Sequence, residues 1–401
     1  MRPVLDPVLM KAKRWRRVLA RGSKWIGAVF LCALGYAVID GWTAFGHRAT
    51  GERRMRMERS PQWSDGQFVN PQPIVNNYSM MMKGLFGASD HGHPEAPLPT
   101  VKFDPKQAPP ATGLRVTWFG HSTTLIEIDG HRVLTDPMWS GRAGPIHGVG
   151  PTRWNPPIVA IEDLPKLDAV LISHDHYDHL DLRTVRALND LVASKGWDTK
   201  FVVPLGLGAH LSHWGVPESR IAELDWWERK DLGGVEVVCT PARHATGRTL
   251  FDRDATLWAG YAVVGSKHRA YFSGDTGLFP GMKEIGDKLG PFDVTLIEIG
   301  QYHGAWPDWH IGPEQAIAAH QMLRGKIFFP IHWGLLKLAY HGWTEPIERA
   351  TVAAEKANVK LVSPKPGEGI LPDAPPAPHR WWPTLPWESA EKSPIVSGNL
   401  K

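Results

Sequence analysis

The segment LISHDHYDHLD, residues 171–181, carries three histidines and three aspartates directly behind an apolar run. Imidazole and carboxylate together are the nitrogen and oxygen donors preferred by zinc and other divalent first-row metals. In an extended segment His174 and His176 point to the same side. Asp178 and His179 are expected to begin the following helix, where they can face the same point. Donors of the same kind stand at other strand ends: His244 in TPARHATGR, Asp275 in YFSGDTG and His332 in FFPIHWG. A single histidine beside a turn is ordinarily a satisfied polar residue, but that reading does not account for so many at strand ends. Seven ligands exceed what one tetrahedral zinc takes. They fit two ions sharing one carboxylate, the two-metal clamp of phosphoesterases, in which the pKa of bound water falls from about 15.7 toward 7. Zinc suits these donors, and manganese or iron would fit them too.

Such donors need rigid strands behind them. LRVTWFGHSTTLIEIDGHRVLTD alternates apolar and polar residues around Asp129-Gly130, a strong hairpin signal. DAVLIS (168–173), FVVPLG (201–206), VEVVCTP (235–241), AGYAVVG (259–265), RAYFSGD (269–275), VTLIEIG (294–300) and KIFFPIHWG (326–334) continue the strand pattern. DLRTVRALNDLVAS (181–194) and GPEQAIAAHQMLR (312–324) have helical spacing. Strand blocks separated by helices, repeated in two halves, predict an α/β fold: two β-sheets stacked as a sandwich and covered by helices. The catalytic unit is expected over residues 111–370. Residues 43–110 are polar, rich in Pro, Met and His, and read as an extension with little periodicity; DHGHPEAPLP (90–99) reads as a solvated loop. The Pro- and Trp-rich tail, 371–401, is expected to be a surface arm or partly disordered.

A net charge of +4 over 401 residues excludes a nucleic-acid footprint for the chain as a whole. Charge is concentrated at the start, where eight Lys and Arg oppose only Asp6 in residues 1–24. The apolar run WIGAVFLCALGYAVI (25–39) follows, with Trp42 close behind. This pattern fits a signal segment or a membrane anchor, residues 25–42, although it is short of the roughly 20 residues that span a bilayer. The basic flank would keep the N-terminus in the cytoplasm. An envelope location is therefore expected, anchored at the inner membrane or exported. Cys32 and Cys239 are not expected to form an internal disulfide.

The blocks GLRVTWFGHSTTLIEIDGHRVLTDPMWSGRAGP (113–145), LDAVLISHDHYDHLD (167–181), ELDWWE (223–228), FSGDTG (272–277), GPFDVTLIEIG (290–300) and IHWG (331–334) resemble the metallo-β-lactamase superfamily. Within it they resemble the N-acyl-phosphatidylethanolamine-hydrolysing phospholipase D family and its bacterial relatives. The match runs over about residues 66–370, and ELDWWE and the 113–145 block are its most specific parts. The resemblance implies the αββα sandwich, two mixed β-sheets flanked by helices. It also implies one metal on His174, His176 and His244, the other on Asp178, His179 and His332, and Asp275 bridging. His310, in WHIGPEQA, and Tyr177, inside the metal motif, match two further family positions. The implied reaction releases N-acylethanolamine and phosphatidic acid from a phospholipid at a membrane. The leaving alkoxide needs a proton or charge stabilisation, and His310 is the expected donor or a phosphate-positioning group, with Tyr177 as an alternative donor. Family members form dimers, so a homodimer is among the expected partners. Where mammalian members read GAYEPRWF this chain reads GQYHGAWPDW, which alters the cleft wall and bears on acyl-chain and headgroup selectivity.

Asp136 in LTDP could orient a ligand imidazole or simply form a turn, and His121 is expected to give a supporting hydrogen bond rather than bind metal. Trp306, Trp309 and Trp343 fall near the site, as a lining for acyl chains or as packing. Trp226, Trp227 and Trp333 read as structural. Two competing functions share the fold: a metal-dependent lactonase or other small-ester hydrolase, and a non-catalytic envelope protein that uses the fold for binding.

Overall fold

The computed structural model of the chain describes residues 24–106 apart from 37 and 40, and 113–400 apart from 399. The basic run at 1–23 lies outside the described residues.

A hairpin, β1 (Trp63–Ser64) and β2 (Gln67–Phe68), precedes the first large sheet. That sheet contains β3 (Leu114–Gly120), β4 (Thr123–Ile128), β5 (His131–Thr135), β6 (Ala169–Leu171), β7 (Lys200–Pro204) and β8 (Ile221–Leu224). The second contains β9 (Arg229–Asp231), β10 (Glu236–Thr240), β11 (Gly260–Val264), β12 (Arg269–Phe272), β13 (Phe292–Glu298), β14 (Gly325–Ile331) and β15 (Lys360–Leu361). The last strand, β16 (Gly369–Ile370), returns to the first sheet, whose order is β16-β3-β4-β5-β6-β7-β8; the second runs β15-β14-β13-β12-β11-β10-β9. In each sheet, three antiparallel pairings are followed by three parallel ones. These are the two mixed sheets flanked by helices that the sequence predicts.

The period of two along each strand separates its two faces. Ile126, Val133, Leu171 and Val202 join the core shared with Val238, Tyr261 and Phe272 of the second sheet. Their neighbours Leu125, Leu134, Val170 and Phe201 pack instead under the helix Leu182–Lys195, with Val185 and Leu188. The hairpin signal holds: Asp129 and Gly130 link β4 to β5 with φ of 46° and 86°, the left-handed pair a type I′ turn needs.

Two expectations change and one is sharpened. Residues 43–110 contain the helices Gly51–Glu58 and Tyr78–Phe86 and the first hairpin. Met57 and Phe68 are buried in the main core; their short elements borrow stability from the sandwich, which is why local periodicity does not announce them. The tail is a mostly exposed surface arm, as expected, but two of its tryptophans pin it to the core. Trp382 is 7% exposed and Trp381 stacks on Trp333, itself stacked on Trp118. Apolar and aromatic burial of this size outweighs the weak local preference of a Pro-rich segment. Finally, Asp178 and His179 do not begin a helix. The helix starts at Leu182, because the Asp181 side chain caps it by accepting from Arg183 N–H.

Residues 24–36 are helical and exposed, with Trp25 at 73% and Phe30 at 67%. Among the described residues no helix is long and apolar enough to cross a membrane. Cys32 and Cys239 are both free thiols.

Candidate metal centre

The seven sequence-predicted ligands converge between the ends of the two sheets. The loop after β6 carries His174, His176, Asp178 and His179; the ends of β10, β12 and β14 bring His244, Asp275 and His332. Gly274 makes the approach possible. Its φ is +57°, and a Cβ there would lie 2.6 Å from the Ser173 side chain, so the Asp275 loop could not close on the His174 loop with any larger residue. His121, Asp136 and His332 also hold left-handed backbone conformations (φ of 53°, 32° and 65°), strain of the kind that collects where side chains must be aimed.

Two groups of donors result. His176 Nδ1 lies 2.9 Å from His174 Nε2 and 3.3 Å from His244 Nε2. His179 Nε2 lies 3.2 Å from both His332 Nε2 and the Asp178 carboxylate. Asp275 sits between them. Its Oδ2 is 3.1 Å from His179 Nε2 and His332 Nε2, and 3.9 Å from His174 Nε2 and His244 Nε2.

Outer hydrogen bonds aim these rings. Ser173 Oγ meets His174 Nδ1 at 2.9 Å, and the Trp309 carbonyl meets His244 Nδ1 at 2.8 Å. Asp136, fully buried, meets His179 Nδ1 at 2.7 Å and accepts from Ser173 N–H and Oγ–H. Asp136 is therefore an orienting carboxylate as well as a turn residue. Each outer contact leaves the opposite ring nitrogen for the cluster, the usual arrangement behind metal-bound histidine. His121 Nε2 meets Asp178 Oδ2 at 2.8 Å, a supporting contact, and the ring also stands within the donor group of Asp178, His179 and His332.

These residues fit divalent ions. Asp275 Oδ1 is buried without a hydrogen-bond partner, an orphan of a kind that needs an explanation in a native structure. Burial would raise the Asp178 and Asp275 carboxyls, yet His179 and its neighbours hold both well below the usual carboxylate range. Burial opposes charge on His332, but Asp275 and Asp178 push it up to about 10, and His179 moves well up for the same reason. Protons there answer a negative charge that a divalent cation would also answer. Burial and the surrounding imidazoles push His174 well down; burial and His176 do the same to His244, against the pull of Asp275. A neutral imidazole is what a metal requires.

The other expected residues have definite places. Asp175 accepts from Gly247 N–H and Thr256 Oγ–H, outside the donor cluster. The Tyr177 hydroxyl donates to the Arg248 carbonyl at 2.5 Å, under the guanidinium 4.1 Å from its ring. Burial pushes that phenol up to about 12. His310 stands at the rim, 16% exposed, stacked 5.1 Å from His332. Trp333 packs in the tryptophan cluster behind His332, as expected. Trp226 is buried and donates to the Trp258 carbonyl. A cavity of about 310 Å³, lined in part by Tyr302, His303, Tyr340, His341 and Trp387, includes none of the seven donors. Trp306 packs on His303 and Tyr340 beside it.

Sequence reasoning missed Glu298 and Asp308. Glu298 ends β13 and meets His310 Nδ1 at 2.8 Å and His332 Nδ1 at 3.3 Å; burial pushes its carboxyl up, against the pull of His310. Asp308 pairs with Arg243 at 2.9 Å, both buried, one residue before His244 and two before His310. A charged residue between Ile297 and Ile299 at the end of β13 was the available signal for Glu298; Asp308 had none.

A family model described as Beta-lactamase superfamily domain matches residues 131–333. An uncharacterized protein of Mycobacterium tuberculosis is 46% identical over 334 residues, covering 81% of this chain and 88% of that protein. N-acyl-phosphatidylethanolamine-hydrolyzing phospholipase D 1 of Caenorhabditis elegans is 40% identical over 233 residues, 56% of this chain and 64% of that protein. Among solved structures, a possible metal-dependent hydrolase from Veillonella parvula superposes with a TM-score of 0.50 at 15% identity, covering 65% of this chain and 100% of the other. This last likeness is one of fold.

Proposed function

The chain belongs to the beta-lactamase superfamily and is a metal-dependent hydrolase of that fold, and from this premise we propose that it is a dinuclear phosphodiesterase. Its substrate would be a membrane phospholipid, N-acyl-phosphatidylethanolamine, cleaved to N-acylethanolamine and phosphatidic acid. The observation that carries the dinuclear reading is the place of Asp275, one carboxylate oxygen within 3.9 Å of four imidazole nitrogens drawn from both donor groups. The choice of lipid is supported by the nematode relative named for that reaction.

His174, His176 and His244 would hold one ion, Asp178, His179 and His332 the other, and Asp275 both. Bound divalent ions, zinc by donor type, would supply Lewis acidity toward the phosphoryl oxygens and a more acidic water. Residues of the chain do the rest. Asp136, Ser173 and the Trp309 carbonyl fix the ligand rings, so the site needs little reorganisation when charge develops. The phosphorus–oxygen bond to the ethanolamine side breaks as water adds, and the departing oxygen needs a proton. His310, as an imidazolium, would give it from Nε2: Nδ1 is held by Glu298, and Nε2 has no hydrogen bond among the described residues. Tyr177 is less suited, because its hydroxyl already serves Arg248. Exposed apolar side chains at 25–36 fit contact with a lipid surface, in a bacterial envelope and with the basic end cytoplasmic.

Purified, metal-loaded protein is expected to release phosphatidic acid from N-acyl-phosphatidylethanolamine in mixed micelles and to leave simple lactones intact. Lactone turnover without phosphatidic acid would overturn the lipid reading. No turnover of any ester, with metal bound, would point to a binding protein instead.

The His310→Ala variant is expected to lose about 10²–10⁴ in rate on diesters with poor leaving groups, the usual span of a general acid. With a leaving group of low pKa the loss should shrink. Equal losses across the series would reject proton donation and leave His310 to position phosphate.

A further inference from the structure

β13 is apolar through its centre: Leu296, Ile297 and, just beyond, Ile299 are fully buried. Glu298 interrupts that run and is itself fully buried. A carboxylate in such a place is costly unless donors surround it. Three do. Oε1 accepts from Thr276 N–H at 2.5 Å, the residue after Asp275. Oε2 accepts from His310 Nδ1 at 2.8 Å and lies 3.3 Å from His332 Nδ1, which also faces the Gly300 carbonyl at 3.4 Å. One side chain therefore touches the Asp275 loop, a proposed metal ligand and the rim imidazole.

We infer that Glu298 is a positioning residue of the centre, holding His332 and His310 together with the proton on Nδ1 of each ring. A neutral imidazole that donates through Nδ1 has its lone pair at Nε2. His332 Nε2 then faces the cluster, 3.1 Å from Asp275, and His310 Nε2 is left open to take up the second proton that, in the imidazolium form, it would pass to the leaving oxygen. The rings lie 5.1 Å apart and 17° from parallel, so tilting one disturbs the other. Through Glu298 the group that holds the metal and the group that serves the leaving oxygen share one anchor. This inference rests on the metal reading of the site but not on the identity of the lipid.

Glu298→Gln tests it. The amide keeps the shape, but its NH₂ must oppose a donor, either Thr276 N–H or an imidazole Nδ1–H. Metal content per chain is measured after dialysis against graded chelator, beside kcat and KM. The variant should lose metal at about 10–100-fold lower chelator, the usual cost of removing an outer-shell partner, with kcat falling more than KM rises. In the His310→Ala background the same substitution should cost kcat less than it does alone. Two ions retained equally by both proteins, with kcat unchanged, would overturn the inference alone. An unmodified chain that takes up no metal would overturn the reading of the centre and the inference with it. Should Glu298→Gln fail to fold, nitrogen NMR of labelled imidazoles in the unmodified, zinc-loaded protein decides instead. Protons on Nδ1 of both His332 and His310 are expected, and a bare Nδ1 on His310 would overturn the assignment.

Discussion

Replacing Asp275 by Asn should lower hydrolysis by about 10³-fold or more and reduce bound metal below two ions per chain. Removing one neutral donor from a preorganised charge-stabilising site already costs about 10²–10³ in kcat. Here a full charge is removed, and it is shared. Asp275 Oδ2 is equally close to His179 and His332, at 3.1 Å, and stands 3.9 Å from His174 and His244. Asn keeps the volume, so packing around Gly274 and Ser173 is preserved and the loss reports charge rather than collapse. Asp293→Asn is the control, because its carboxylate pairs with the exposed Lys326 far along the strand from the site. Elemental analysis beside initial rates checks the prediction. Parent-like metal content and rate in Asp275→Asn would remove the bridging role.

The second large effect is on stability. Asp308→Ala should cost about 3–5 kcal/mol, because breaking a buried ion pair strands the surviving charge. Asp308 and Arg243 are 0% and 1% exposed. The carboxylate also accepts from Val75 N–H and Gly398 N–H, each at 2.9 Å, and the guanidinium donates to the Pro73 carbonyl at 2.5 Å. One pair thus joins the N-terminal extension and the tail to the loops bearing His244 and His310. Urea unfolding of the metal-loaded variant measures the cost, at fixed metal concentration so that ion binding does not enter the comparison. A change below about 1 kcal/mol, the range of an exposed pair, would show that the pair is not a latch. Asp308→Asn should cost less, since its amide oxygen can still accept one of the two backbone N–H groups.

Much of the centre is legible from residue types because strand ends can be read locally. A period-two apolar run stops where the sheet stops, and a His or Asp at that point faces whatever lies beyond the edge. His174, His244, Asp275 and His332 were all found this way. Asp178 and His179 were assigned to the right cluster with the wrong local geometry, since Asp181, and not they, starts the helix. The Gly51–Glu58 and Tyr78–Phe86 helices escaped notice, since a short helix held by contacts with a distant core need not display a clean apolar stripe.

Sequence alone determined most of the central strands, the hairpin at Asp129-Gly130, the sandwich class and which His and Asp side chains stand at strand ends, because these follow from patterning along the chain; the short strands β8, β9, β15 and β16 do not. Only the tertiary structure decided how the donors are held. That Glu298 anchors His310 and His332, that Asp136 backs His179, and that Asp308 and the tail's Trp381 and Trp382 brace the loops and packing behind the site are contacts between residues 12 to 65 or more positions apart. The chain's folded path sets such distances, and burial sets their energy: a carboxylate that would be an unremarkable solvated charge on an open strand becomes, once enclosed, a group that must be met by named donors.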